Sequence, residues 1–167
     1  LMLLLLYLQV LFGNIALYVP FCIPGIFYVS VAYSWRRGIF WALLCGISLD
    51  LFYDREFYVA AMSFATAVLY AEYWLRNNDS RYLRNCFLPG AVLALLSVFP
   101  VWIHKLVYYS SALDAVFKEM LPLTISAMAV SALVLPTLVM LLDGIGEKIK
   151  LPLFSKAGKR LTEERKI

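Results

Sequence analysis

The chain has 167 residues, of which 63% are hydrophobic and 16% charged, with a net charge of +4 and a mean hydropathy of +0.79. Soluble domains carry about 45–50% apolar and roughly 25% charged residues, so these values argue against a water-soluble fold, which could not hide so much apolar surface in so short a chain. Nor does the positive charge point to nucleic acid, because the basic residues sit between and after apolar blocks, where membrane topology accounts for them.

A helix of about 20 apolar residues crosses the ~30 Å hydrocarbon core, where no water can satisfy an unpaired backbone. Leu1 to Phe12 reads as the visible part of a first span, closed by Gly13-Asn14 and expected to begin further upstream. No basic region precedes it, as a signal peptide requires. Ile15 to Trp35 is charge-free and long enough to cross, with Pro20, Pro24 and Gly25 predicting a kink or break. Arg36-Arg37 ends it. Gly38 to Tyr53 is a short third span with Asp50 near its far end, followed by the charged turn Asp54-Arg55-Glu56.

Phe57 to Leu75 is the fourth span, with Glu72 near its exit and a polar loop from Arg76 to Asn85 beyond it. Cys86 to Tyr109 is the fifth, carrying His104 and Lys105 towards its end. Ser110 to Met120 reads as a connector whose apolar face (Leu113, Val116, Phe117) suits the membrane surface. Leu121 to Leu142 is the sixth span, interrupted at Pro136. The expected organisation is a helical membrane domain over 1–142 and a basic cytoplasmic tail over 143–167.

Charge tests the number of spans. If Arg36 and Arg37 lie inside, alternation puts Arg76, Arg81 and Arg84 inside too, along with the tail lysines and arginines. Of the 15 Lys and Arg, only Arg55, Lys105 and Lys118 then fall elsewhere. Such a bias orients a membrane protein, here with both ends in the cytoplasm. Trp35, Trp41, Trp74, Trp102, Tyr108 and Tyr109 fall near the predicted interfaces, where amphipathic rings are favoured.

An ionisable group within a span costs roughly 2.5–3.5 kcal/mol on insertion scales and needs a reason. Asp50 follows Gly46 by four residues on the same helical face. Gly46 permits close approach of another backbone, leaving Asp50 to pair with a neighbouring helix or cap its start. Substrate or ion binding is the competing role, less favoured because the span holds one such carboxylate. Glu72 and Arg76 have the spacing of a helix-surface ion pair. His104-Lys105 either faces Asp50, Asp54 or Glu56 in an outer polar cluster, or reaches outward to headgroups.

Catalytic motifs are not found: there is one His, and no HExxH, GxSxG or Walker sequence. The expectation is a non-enzyme without cofactor or metal. Cys22, Cys45 and Cys86 lack ligand-like spacing and read as small hydrophobes. The tail mixes Ile145, Ile149, Leu151, Leu153 and Phe154 with lysines, so it either lies along an anionic leaflet or simply follows the last span.

The stretch RRGIFWALLCGISLDLF, followed by FYVAAMSFATAVLYAEYWLRN, resembles the MreD-type rod-shape-determining membrane proteins. That family similarly has a basic turn, a short helix ending in a Gly-x-x-x-Asp-Leu-like element, a tight turn and a long helix leading to a basic loop. YDREFY replaces the small turn of many relatives, and PFCIPG stands where an Arg-Pro-like element is expected. The resemblance implies an all-α membrane protein of six transmembrane helices, in a fold similar to the substrate-binding subunits of energy-coupling-factor vitamin transporters. It implies a scaffold in the cytoplasmic membrane that binds the bitopic partner MreC, and through it connects MreB filaments to peptidoglycan synthases. Gly46, Ala61, Ser63, Ala65 and Ala67 are the small residues suited to helix docking. The alternative function is a vitamin-binding transporter subunit, with Asp50, His104, Asn14 and Gln9 as its few candidate polar contacts.

Overall fold

The computed structural model describes residues 2–14, 21–53, 59–77, 86–108 and 113–157, without the side chains at 12–14, 104, 108 and 156. Among these residues the chain is all-helical, without a strand. The helices are α1 (Met2–Asn14), α2 (Cys22–Ala32), α3 (Trp35–Phe52), α4 (Val59–Asn77), α5 (Phe87–Tyr108) and α6 (Leu113–Ile149), with a final 3₁₀ turn at Phe154–Lys156. Two segments, Phe87–Val107 and Leu113–Ile149, are long and apolar enough to cross a membrane, while Met2–Leu11 and Cys22–Ala32 are shorter apolar helices.

The core is organised around α2, whose residues are all buried. A helix that is apolar all round is stable only when enclosed, and α2 packs against α1, α3, α4, α5, α6 and the 3₁₀ turn. Pro24 falls in its first turn, where the missing N–H would have had no helical partner. Gln9 on α1 helps start the helix, its Oε1 accepting from the Cys22 N–H at 2.8 Å. Pro20 lies outside the described residues. At 11 residues, α2 is about 16 Å long, half the thickness of a hydrocarbon core.

Glycines set the distances between neighbouring helices. At Gly38 an added Cβ would lie 2.0 Å from Ser30 Oγ, and at Gly90 it would lie 2.5 Å from the Ser131 carbonyl oxygen. Gly90 lets α5 close directly on the backbone of α6, whereas Gly38 leaves room on α3 for the Ser30 side chain of α2. The far end of the α5–α6 pair is filled differently, by Val98, Trp102, Val116, Phe117 and Met120. There the Trp102 indole N–H donates to Thr124 Oγ1 at 2.8 Å, and Lys105 pairs with Glu119 across the two helices.

The predicted connector over 110–120 and the interruption at Pro136 are corrected by α6, which runs unbroken from Leu113 to Ile149. Of the face expected to meet lipid, Val116 is buried against α5 and Phe117 packs on Trp102 with one side, while Leu113 stays exposed. Pro122 and Pro136 both lie within the helix. Beside Pro136 the Thr137 hydroxyl donates to the Leu133 and Val134 carbonyls at 3.0 and 2.9 Å, and the packing of α6 on α5 supports the helix through both prolines.

Beyond Asp143 the helix continues to Ile149 before the chain turns back. Lys150 takes φ 57°, the Lys150 N–H donates to Glu147 O at 3.4 Å, and the Leu151 N–H donates to Gly146 O at 2.9 Å. This paired ending usually places glycine at the left-handed position. The turn carries Leu153 and Phe154 back into the core, where Phe154 is 1% exposed. Of the apolar residues noted in this segment, Leu153 and Phe154 thus pack into the bundle, while Ile145, Ile149 and Leu151 stay exposed.

Candidate functional site

The motif that carries the family resemblance builds the contact between α3 and α4. On α3 the buried residues are Gly38, Ala42, Cys45, Gly46, Leu49 and Asp50, a stripe of mostly small side chains at helical spacing. On α4 the facing stripe includes Ala60, Ala61, Phe64, Ala67, Val68 and Ala71. An added Cβ on Gly46 would lie 2.3 Å from Ala61 Cα and 2.6 Å from Ala61 N. The neighbouring atoms are backbone, which cannot swing aside as a flexible side-chain end can.

That close approach positions Asp50 over the start of α4. The Ala60 N–H donates to both carboxylate oxygens, at 3.1 and 3.0 Å, and the Ala61 N–H donates to Oδ2 at 3.3 Å. A helix start has unpaired N–H groups and a positive dipole end, and a carboxylate answers both needs. Asp50 is 1% exposed, so these bonds offset the desolvation of a buried charge.

Asp54 lies outside the described residues, and the His104 side chain is not among those described. His104 is on α5, next to Lys105, which turns to Glu119 on α6. Lys105 is thus engaged within the α5–α6 pair rather than joining an outer cluster with Asp50. Glu72 and Arg76 form their pair at 2.9 Å on the α4 surface. Ala61, Ser63 and Ala67 are buried inside the bundle, so they hold the fold together and are not presented for docking.

A second carboxylate site, which sequence reasoning missed, gathers the ends of α2, α4 and α6. Asp143 Oδ1 accepts from the Tyr28 hydroxyl at 2.9 Å and from the Phe154 N–H at 2.8 Å, and Oδ2 accepts from the Ser155 N–H at 3.0 Å. Phe154 stacks on Tyr28 with ring centroids 5.8 Å apart, and packs against Phe27 and Trp74 at 6.1 and 5.7 Å. The available signal was an acidic residue closing a charge-free span shortly before the apolar run Leu151-Pro152-Leu153-Phe154.

The outer face of α3 is the remaining feature of the motif. Phe40, Leu43, Leu44, Ile47 and Leu51 form an exposed apolar stripe at helical spacing, opposite the face that meets α4. Among the described residues no group of three or more His, Cys, Asp or Glu is placed to hold a metal ion. The three cysteines are buried and free.

In comparisons with protein-family models, curated proteins and solved structures, the chain matches none of them.

Proposed function

We propose that the chain is a non-enzymatic scaffold subunit of the bacterial cell-wall elongation machinery, embedded in the cytoplasmic membrane and binding an MreC-like bitopic partner. The observation that carries this reading is the division of α3 into two faces. One is locked to α4 through Gly46 and Asp50, and the other presents Phe40, Leu43, Leu44, Ile47 and Leu51 outward. A rigidly held helix with a free apolar stripe suits the docking of a single transmembrane helix. Through that partner the subunit is connected indirectly to MreB filaments and peptidoglycan synthases, as the family resemblance implies.

Six spans with both ends in the cytoplasm complete the proposal. The aromatic contacts of Phe154 bring the return after α6 beside the ends of α2 and α4. Arg36, Arg37 and Arg76 belong to the same end, which is the clustering expected of a cytoplasmic face. The transporter alternative loses its first polar contact: Asp50 is buried and engaged with the α4 backbone.

Pull-down of the tagged chain from membranes at native expression level, with mass spectrometry of proteins and small molecules, tests the proposal. The expected result is an MreC-like bitopic protein with wall synthases, lost on combining Leu44→Ala with Ile47→Ala while the bundle stays folded. Recovery of ATPase subunits with a stoichiometric vitamin would overturn it.

A further inference from the structure

Where the start of α1 meets the corner between α2 and α3, a groove of about 270 Å³ is lined by Met2, Leu3, Val29, Tyr33, Arg37 and Trp41. Its lining is ordered from polar to apolar. α2 runs into the corner and α3 runs out of it, so Tyr33 and Arg37 stand at the corner itself. Val29 and Trp41 lie four residues from Tyr33 and Arg37 respectively, one turn or about 6 Å further into the bundle. Met2 and Leu3 close the apolar side, and Leu3 is largely exposed.

The cationic end is held in place. The Arg37 guanidinium carbon lies 5.4 Å from the Tyr33 ring centroid, a cation–π distance that orients the side chain at the mouth. Arg37 is exposed and forms no ion pair with the described residues. Arg36, beside it, lies over Trp35 at 5.7 Å and does not line the groove.

We infer that this groove binds one anionic phospholipid, its phosphate against Arg37 and an acyl chain along Val29, Trp41 and Leu3. A phosphate diester accepts paired hydrogen bonds from a guanidinium fork. The apolar wall needs a ligand with hydrocarbon attached, and places that hydrocarbon on the membrane side of the phosphate. Tyr33 and Trp41 are aromatic types favoured at headgroup depth. Free phosphate would use the cation and leave the wall in water. The inference rests on the membrane-embedded reading and not on the role in wall synthesis.

The full chain reconstituted into vesicles of phosphatidylcholine and phosphatidylglycerol, then released for native mass spectrometry, tests it. The wild type is expected to retain phosphatidylglycerol over phosphatidylcholine on the order of tenfold above the mixing ratio, the scale of one charge-assisted contact. Arg37→Gln brings the ratio close to unity, Arg37→Lys keeps part of the preference, and Arg36→Gln leaves it nearly whole. Excess inorganic phosphate does not displace the lipid. An unchanged preference in Arg37→Gln, or displacement by phosphate, would overturn the inference. Protein stripped from the vesicles by alkaline carbonate would remove the membrane reading as well, whereas embedded protein with no lipid preference removes the groove alone.

Discussion

At one end of the bundle Asp50 accepts hydrogen bonds from the first N–H groups of α4, and at the other Asp143 accepts them from the 3₁₀ turn at Phe154. The chemistry is shared, but the settings differ. Asp50 is 1% exposed and acts within two helices already locked together at Gly46, whereas Asp143 is half-buried and holds a returning segment against the ends of other helices. A buried cap on a fixed contact is part of the frame. A half-buried cap on a short return is a clasp, whose loss frees a few residues rather than the whole bundle.

The frame is most vulnerable at Gly46. Gly46→Leu forces a side chain into the Ala61 backbone and is expected to cost about 3 kcal/mol or more, read as loss of the monodisperse species on size exclusion in detergent. Gly144→Ala is the control: nothing lies within 4 Å of an added Cβ there, and removing a helical glycine on its own stabilises by about 0.4–1 kcal/mol.

Asp50→Ala leaves the Ala60 and Ala61 N–H groups without their carboxylate in a buried site, at an expected cost of about 2–3 kcal/mol. The thermal midpoint of the whole bundle should fall. Asp143→Ala is expected to cost about 1–2 kcal/mol, concentrated locally. Hydrogen exchange should rise over residues 151–157 while α3 and α4 stay protected. Equal, global destabilisation by the two substitutions would show that the return is as much frame as the α3–α4 contact.

Lys150→Gly has a smaller effect than either aspartate substitution, and the opposite sign. A non-glycine residue at φ 57° pays roughly 1 kcal/mol for a left-handed conformation. The glycine variant should therefore melt slightly higher, with slower exchange over 151–157. A lower midpoint would mean that the lysine side chain contributes more than its backbone costs.

What could be seen beforehand divides along the same line. Gly46 and Asp50 are four residues apart in one apolar run, and the helix they meet begins about ten residues later, so local spacing was enough to place both on one face. Glu72 and Arg76 were legible for the same reason. Asp143 was not, because its partners lie 11 and 115 positions away and the turn that brings the nearer one depends on a lysine in a conformation typical of glycine. The length of α6 was missed because Asp114, Lys118 and Glu119 dilute the apolar signal over a stretch that is nonetheless helical and packs on α5 through Val116 and Met120. Pro136 does not break α6, since a helix held by a neighbour tolerates one lost hydrogen bond.

The enclosure of α2 has a consequence for how the protein is made. Its neighbours on one side, α1 and α3, leave the ribosome almost with it, but Asp143 follows Tyr28 by 115 positions. At roughly 5–20 residues per second, synthesis takes on the order of ten seconds to cover that distance. During that interval a helix of 11 residues, too short to cross the ~30 Å core alone, lacks the last of its partners. The centre of the protein is therefore translated well before it is sealed, and its biogenesis depends on whatever shelters α2 until the return after α6 arrives.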